Sequence, residues 1–320
     1  MGALTLQSGK NKKNTKIQSE LAKIKVDYKK NKYVIYMAIP VFLWYLIFCY
    51  IPMTGIVTAF FNYNIAKGIF HSSFVGLKYF KEFLTGFYAY RTIRNTLAIS
   101  LLTLLFGFPA PIIIALLLNE VRCKPFKKTV QTITYLPHFI SIVVVCGMIV
   151  NFTAKDGIFN DIAEFFGGER ISYLLDPKYF RTIYVASGVW QSAGWGSIIY
   201  LAALAGIDVG LYEAAELDGA NRLRQLWHIT LPGIAPTIIV MLILNMGRLM
   251  SEGSEKIILL YNENTYETAD IISSFVYRRG IVEANYSFST AVGLFNSVIN
   301  LILLSITNML SRKLTETSLW

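Results

Sequence analysis

Along the chain, long windows without a single Asp, Glu, Lys or Arg alternate with shorter polar segments. The charge-free windows are 33–66, 95–119, 129–154, 182–207, 225–247 and 284–311. Each exceeds the roughly 20 apolar residues an α-helix needs to cross a bilayer core. The pattern predicts an all-α integral membrane protein with six transmembrane helices, their cores near 34–59, 96–118, 130–152, 183–205, 234–252 and 290–310. The first window is too long for the apolar region of a signal peptide and lacks a small-residue cleavage site, so it is expected to stay as a permanent helix.

Composition agrees. The 320 residues are 54% hydrophobic and 16% charged, against roughly a quarter charged in an ordinary soluble domain, and the mean hydropathy is +0.47. That excludes a small soluble globule, which cannot hide so much apolar surface, and disorder, which needs low hydrophobicity. Cys49, Cys123 and Cys146 lie far apart and form neither a metal motif nor a disulfide framework.

The net charge of +10 could point to nucleic acid or to a membrane surface. Its distribution decides. Nine lysines precede the first helix: Lys10, Lys12, Lys13, Lys16, Lys23, Lys25, Lys29, Lys30 and Lys32. With that end inside, 17 of the 30 basic residues fall on the cytoplasmic side, as the positive-inside rule requires. Both termini are then predicted to be cytoplasmic. The basic excess is topological, and nothing supplies the folded basic face that nucleic-acid binding needs. The expected organisation is a lysine-rich cytoplasmic segment at 1–32, amphipathic near 17–26, a six-helix domain at 33–311, and a cytoplasmic tail at 312–320. The expected outer loops are 60–95, 153–181 and 253–289.

One cytoplasmic loop, 206–233, differs from the rest. Asp208 is placed to cap a helix over 209–217, and Gly219 to end it in the left-handed conformation. Asn221 can cap a second helix over 222–228, and Pro232 is expected to stop that helix. Pro236 falls in the first turn of the next transmembrane helix. The small alanines would let another surface approach closely. The product is either a docking element tied to the next span or an ordinary structured loop, and the physics alone does not choose.

The residues Glu213, Ala214, Ala215, then Gly219, then Ile229, Leu231 and Pro232 resemble the EAA motif of ABC importer permeases, with every spacing intact. Asp218-Gly219-Ala220 and Pro236 are similar to the carbohydrate branch of that family. So are the runs Thr134-Tyr-Leu-Pro-His-Phe-Ile-Ser141, Tyr200-Leu-Ala-Ala-Leu and Thr290-Ala-Val-Gly-Leu-Phe295, which look like permeases for oligosaccharides or polysaccharide fragments. Ser254 departs from the aromatic residue expected there in many relatives. The resemblance implies a type I, maltose-transporter-like permease fold in a bacterial plasma membrane. It implies a loop whose Glu213, Ala214, Ala215, Asp218 and Gly219 dock a separate ATPase. It also implies a second homologous permease, two ATPase copies and an extracytoplasmic sugar-binding lipoprotein.

The chain has no G-x-x-x-x-G-K-[ST] phosphate cradle. No cofactor is therefore expected on it, with ATP and Mg on the partner ATPase, and no catalytic constellation or metal cluster is seen. His71, His138 and His228 are scattered. A cavity for sugars needs aromatic faces and amides inside the bundle. The candidates are Trp190, Gln191 and Trp195 on the fourth helix, Asn245, Arg248 and Glu252 on the fifth, and Asn296 and Asn300 on the sixth. Arg248 and Glu252 would serve equally as an interfacial ion pair, and the asparagines as glue between helices. The competing class is an ion-coupled secondary transporter. It would bury a relay carboxylate, and the charge-free helix cores speak against that.

Overall fold

The computed structural model describes residues 30–69, 71–251 and 253–315, with the side chains of the last two left out. Glu252, most of the lysine-rich segment with its amphipathic stretch, and the end of the C-terminal tail lie outside the described residues. The chain divides into two units, Met1–Val57 and Thr58–Trp320.

The first unit is carried by α1, Lys30–Phe60, which continues just past its boundary. Its middle widens into a π turn at Leu46–Tyr50, where the Ile51 amide reaches back to the Leu46 carbonyl. Pro52 follows and brings no N–H, so the i−4 carbonyl of Phe48 loses its helical donor.

The second unit opens with a two-stranded antiparallel ribbon, β1 Phe61–Asn62 and β2 Ser73–Phe74, with Phe61 paired to Phe74. The helices that follow are α2 Lys78–Thr85, α3 Ala89–Glu120, α4 Lys124–Tyr135, α5 Ile142–Thr153, α6 Ile158–Phe165, α7 Pro177–Ala205 and α8 Val209–Leu217. They continue with α9 Arg222–Met246, α10 Ser254–Leu260, α11 Ile272–Tyr277 and α12 Tyr286–Thr315. Among the described residues five helical stretches are long and apolar enough to cross a membrane, and there are six if α7 and α8, bent by 69° against each other, count as one. At about 1.5 Å per residue, the 29 residues of α7 span about 44 Å.

Three of the expected helices differ in detail. The third is not one helix over 130–152. Pro137 interrupts it, a 3-10 turn at Leu136–Phe139 follows α4, and Ile140 is extended. The fifth does not reach 252; α9 ends at Met246 in a series of turns. Pro232 does not stop the second loop helix. The chain passes through a π turn at Leu226–Thr230 into a continuous helix, so α9 starts on the loop and ends deep in the bundle.

The spans meet through small residues, because lipid offers no hydrophobic drive for association. A methyl group on Gly194 of α7 would lie 2.0 Å from the Thr134 carbonyl of α4, and one on Gly196 would lie 3.1 Å from Pro111 of α3. Apolar clusters fill the rest. One gathers Val145, Phe180, Val185 and Ile257 between α5, α7 and α10. Another gathers Phe83, Phe275, Phe288 and Val292 between α2, α11 and α12. A third, with Ala115, Tyr200, Leu204 and Ile234, joins α3, α7 and α9 near the loop.

Candidate functional site

The loop element begins where α7 ends. The Asp208 carboxylate accepts from the Gly210 amide at 2.9 Å and opens α8. Three backbone bonds close α8: Asp218 N–H to Ala214 O, Gly219 N–H to Glu216 O, and Ala220 N–H to Ala215 O. Gly219 sits at φ +76°, where a side chain would be strained. Asn221 then accepts from the Arg224 amide at 2.9 Å and opens α9.

No residue of α8 is buried. Glu213, Ala214, Asp218 and Gly219 are exposed, Ala215 is half-buried, and Leu217 is 90% exposed. α8 thus presents an exposed leucine and two exposed glutamates. Ile229 and Leu231 turn partly inward and Pro232 is exposed.

Three contacts fasten this element to the bundle. The Tyr212 hydroxyl lies 3.0 Å from the Thr230 hydroxyl. Ile207 packs so closely that a Cβ on Gly233 would sit 2.8 Å from its Cδ1. Arg222 pairs with Glu120 of α3 at 2.7 Å, both side chains being well exposed.

Further along α9 lies a cavity of about 230 Å³ between α3, α7 and α9, lined by Thr103, Ser192, Gly196, Tyr200, Met241 and Asn245 among others. Asn245 donates to the Met241 carbonyl at 2.8 Å. Of the seven expected path residues that are described, Asn245 lines this cavity, and Asn296 lines another of about 490 Å³ with Ser254, Tyr286 and Thr290. Trp195 stacks on His138 at 4.8 Å and meets Phe139 edge-on. Gln191 lies 3.4 Å from the Ile140 carbonyl. Both therefore brace the α4–α5 break. Trp190 lines a different, apolar cavity with Val145, Met148 and Phe159.

Asn296 and Asn300 hold the turn after α9. Asn300 accepts from the Met250 amide at 2.9 Å and donates to Ser251, and Asn296 donates to the Met250 carbonyl at 3.0 Å. Arg248 is exposed in that turn. The cavity residues that sequence reasoning missed, Ser192, Gly196 and Tyr200, recur every fourth residue and so share one face of α7. That stripe stands in the sequence at helical spacing but carries no large amide or charged group.

At the other end of α7 a buried network closes the bundle. Asp270 has no exposed surface and pairs with Arg91 at 3.1 Å and Arg278 at 2.8 Å. Arg181 donates to Asn95 at 2.8 Å, and Asn95 donates in turn to the Glu267 and Asp270 carbonyls. This end therefore draws α3, α7 and the segment before α11 together, opposite the loop.

Residues 107–316 match the family described as binding-protein-dependent transport system inner membrane component. The chain is 44% identical over 292 residues to the polygalacturonan/rhamnogalacturonan transport system permease protein YteP of Bacillus subtilis (strain 168), covering 91% of each chain. It superposes with TM-score 0.85 and 44% identity on a chain of a bacterial alginate ABC transporter solved in complex with an alginate pentasaccharide-bound periplasmic protein, covering 92% of this chain and 98% of that one. A chain of the MetNI methionine ABC transporter, 17% identical with TM-score 0.54 over 71% of this chain and 95% of that one, shares the fold.

Proposed function

The chain belongs to the family of binding-protein-dependent transport system inner membrane components, and from that premise we propose that it forms half of the pathway of an ATP-driven importer for acidic oligosaccharides. The observation that carries this reading is the continuity of one structural path. An exposed docking helix, α8, leads into α9, and the same α9 lines a polar cavity inside the bundle. Force applied to the loop thus has a direct route to the cavity wall. The names of two relatives at 44% identity speak for uronate-bearing cargo, polygalacturonan in one and alginate in the other.

In this reading Glu213, Ala214, Ala215, Asp218 and Gly219 seat in a separate ATPase, and Ile229, Leu231 and Pro232 fix the base of α9. ATP and Mg bind to that ATPase, which is present in two copies. A second, homologous permease supplies the other half of the pathway, since six helices are few to surround an oligosaccharide. A lipid-anchored extracytoplasmic protein delivers cargo to the network end. The chain sits in a bacterial plasma membrane with both termini in the cytoplasm. ATP closure draws the coupling helices together and shifts the bundle between two accessible states, whose differing affinity for the closed ATPase drives the change. Asn245, Ser192 and Tyr200 would hold sugar hydroxyls.

The test is uptake of oligogalacturonides by proteoliposomes holding this chain, a second permease, the ATPase and the binding protein. Wild type should take up cargo only with ATP, and Glu213→Ala should lose both ATPase retention and uptake. Uptake driven by an ion gradient without ATP would instead assign the chain to secondary carriers.

A further inference from the structure

We propose that the hydrogen bond between Tyr212 and Thr230 locks α8 to α9, so that the docking helix and the cavity helix move as one body. Tyr212 and Thr230 are then positioning residues for coupling ATP hydrolysis to transport. The inference rests on the reading that α8 docks an ATPase.

The backbone alone is a poor link between the two helices. Residues 218–221 join them, Gly219 sits at φ +76°, and nothing on α8 is buried. Ala220 braces that turn, its N–H bonding the Ala215 carbonyl and its own carbonyl accepting from Gln225 Nε2 at 3.3 Å, but neither bond joins α8 to α9 directly. Among the described residues, the side-chain hydrogen bond that joins α8 to α9 is Tyr212 to Thr230, at 3.0 Å and across 18 positions. Its direction is set by the neighbouring bond. The Thr230 hydroxyl donates to the Gln225 carbonyl at 3.4 Å, so it accepts from the Tyr212 phenol.

Thr230 is 6% exposed, so water does not readily replace the phenol. It closes the π turn in which the Leu231 amide reaches Leu226. Such turns are frequent at functional positions in helices. Ile207 against Gly233 supports the same joint from the other side. The Glu120–Arg222 pair does not compete for the role, because both partners are more than half exposed and exposed ion pairs contribute little. From Thr230, α9 runs 15 residues to Asn245, about 22 Å of continuous helix with Pro236 inside it, so a joint fixed at its base is felt at the cavity.

The experiment measures ATP hydrolysis and oligogalacturonide uptake in the same proteoliposomes for Tyr212→Phe, Thr230→Val, the double variant and Thr230→Ser. Tyr212→Phe and Thr230→Val should keep the ATPase bound and its turnover within about twofold, while uptake per ATP falls about fivefold, the scale of one sheltered hydrogen bond. Thr230→Ser should restore the wild-type ratio, and the double variant should be no worse than either single one. A Tyr212→Phe protein with the wild-type ratio, or single effects that multiply in the double, would overturn the lock.

Amide hydrogen exchange across 226–231 in the purified complex gives a readout independent of transport. It should quicken in Tyr212→Phe and Thr230→Val but not in Thr230→Ser; unchanged exchange in Tyr212→Phe overturns the proposal. If wild-type vesicles take up no cargo with ATP, the transport reading fails, while the exchange measurement still judges the bond.

Discussion

Gly194 and Lys256 show how single residues set the terms of packing in this bundle. A methyl group on Gly194 would stand 2.0 Å from the Thr134 carbonyl oxygen, well inside any nonbonded contact. α7 and α4 touch there backbone to backbone. Gly194→Ala should therefore cost about 1–3 kcal/mol by overpacking, read as a lower Tm in detergent. Gly147→Ala, whose added methyl group meets nothing within 4 Å, should leave Tm unchanged or higher; equal losses at both sites would remove the packing explanation. Lys256 lies in α10, which is not one of the spanning stretches. It is 7% exposed, donates to the Tyr184 carbonyl at 2.9 Å, and stands 4.8 Å from the Tyr184 ring. Burial pushes its ammonium group down from 10.5 to about 8. Because the folded value lies below the unfolded one, the folded state holds fewer protons between the two. The penalty for burying the charge is thus complete below pH 8 and is relieved as the pH rises toward 10.5. Stability should climb across that window, and Lys256→Met should abolish the climb. A wild-type Tm that falls between pH 8 and 10, or a climb that survives the substitution, would refute the assignment.

At the scale of elements, α8 and the start of α9 were legible almost to the residue. Asp208, Gly219 and Asn221 act as cap, left-handed stop and cap because each needs only its own backbone neighbourhood. Asp208→Ala and Asn221→Ala should each remove about 1 kcal/mol of helix stability. Faster amide exchange over 209–225, with no change in α12, would register that loss; protection equal to wild type would show that the caps do not hold the loop. What could not be read depended on partners distant in sequence. Pro137 marks the break in the third span locally, but the bracing of the opened turn by Gln191 and Trp195 of α7 does not show in a charge-free window. Pro232 reads locally as a stop, yet the helix passes it by widening into a π turn, with Thr230 held by Tyr212. The fifth span ends early because Asn296 and Asn300, about 50 residues later, satisfy the turn at Met250 and Ser251. Those asparagines stood in the sequence as either path residues or glue; both bond this turn, and Asn296 also lines a cavity. The cavity stripe of Ser192, Gly196 and Tyr200 was regular enough to see, but its meaning needed α3 and α9 on the facing side.

At the scale of the whole molecule, the two ends of the bundle differ in kind. One end carries the buried Asp270 network, which ties α3, α7 and the segment before α11 into a closed structure. The other carries an exposed loop whose base touches α3 through Glu120 and Arg222. Cys123 lies three residues after Glu120 in the α3–α4 connection and is exposed, so it marks the loop end. Under the proposed docking role that end faces ATP, and the nine leading lysines favour the same end inside by an independent rule. The two arguments can be tested together with one thiol. Cys146 is buried and Cys49 is half-buried within α1, so Cys49→Ser leaves Cys123 as the reactive site among the three. A membrane-impermeant maleimide should then label the protein in inside-out vesicles and leave it unlabelled in intact cells until they are permeabilised. Labelling of Cys123 from outside intact cells would invert the bundle, strand the docking helix away from ATP, and overturn both the orientation and the coupling role built on it.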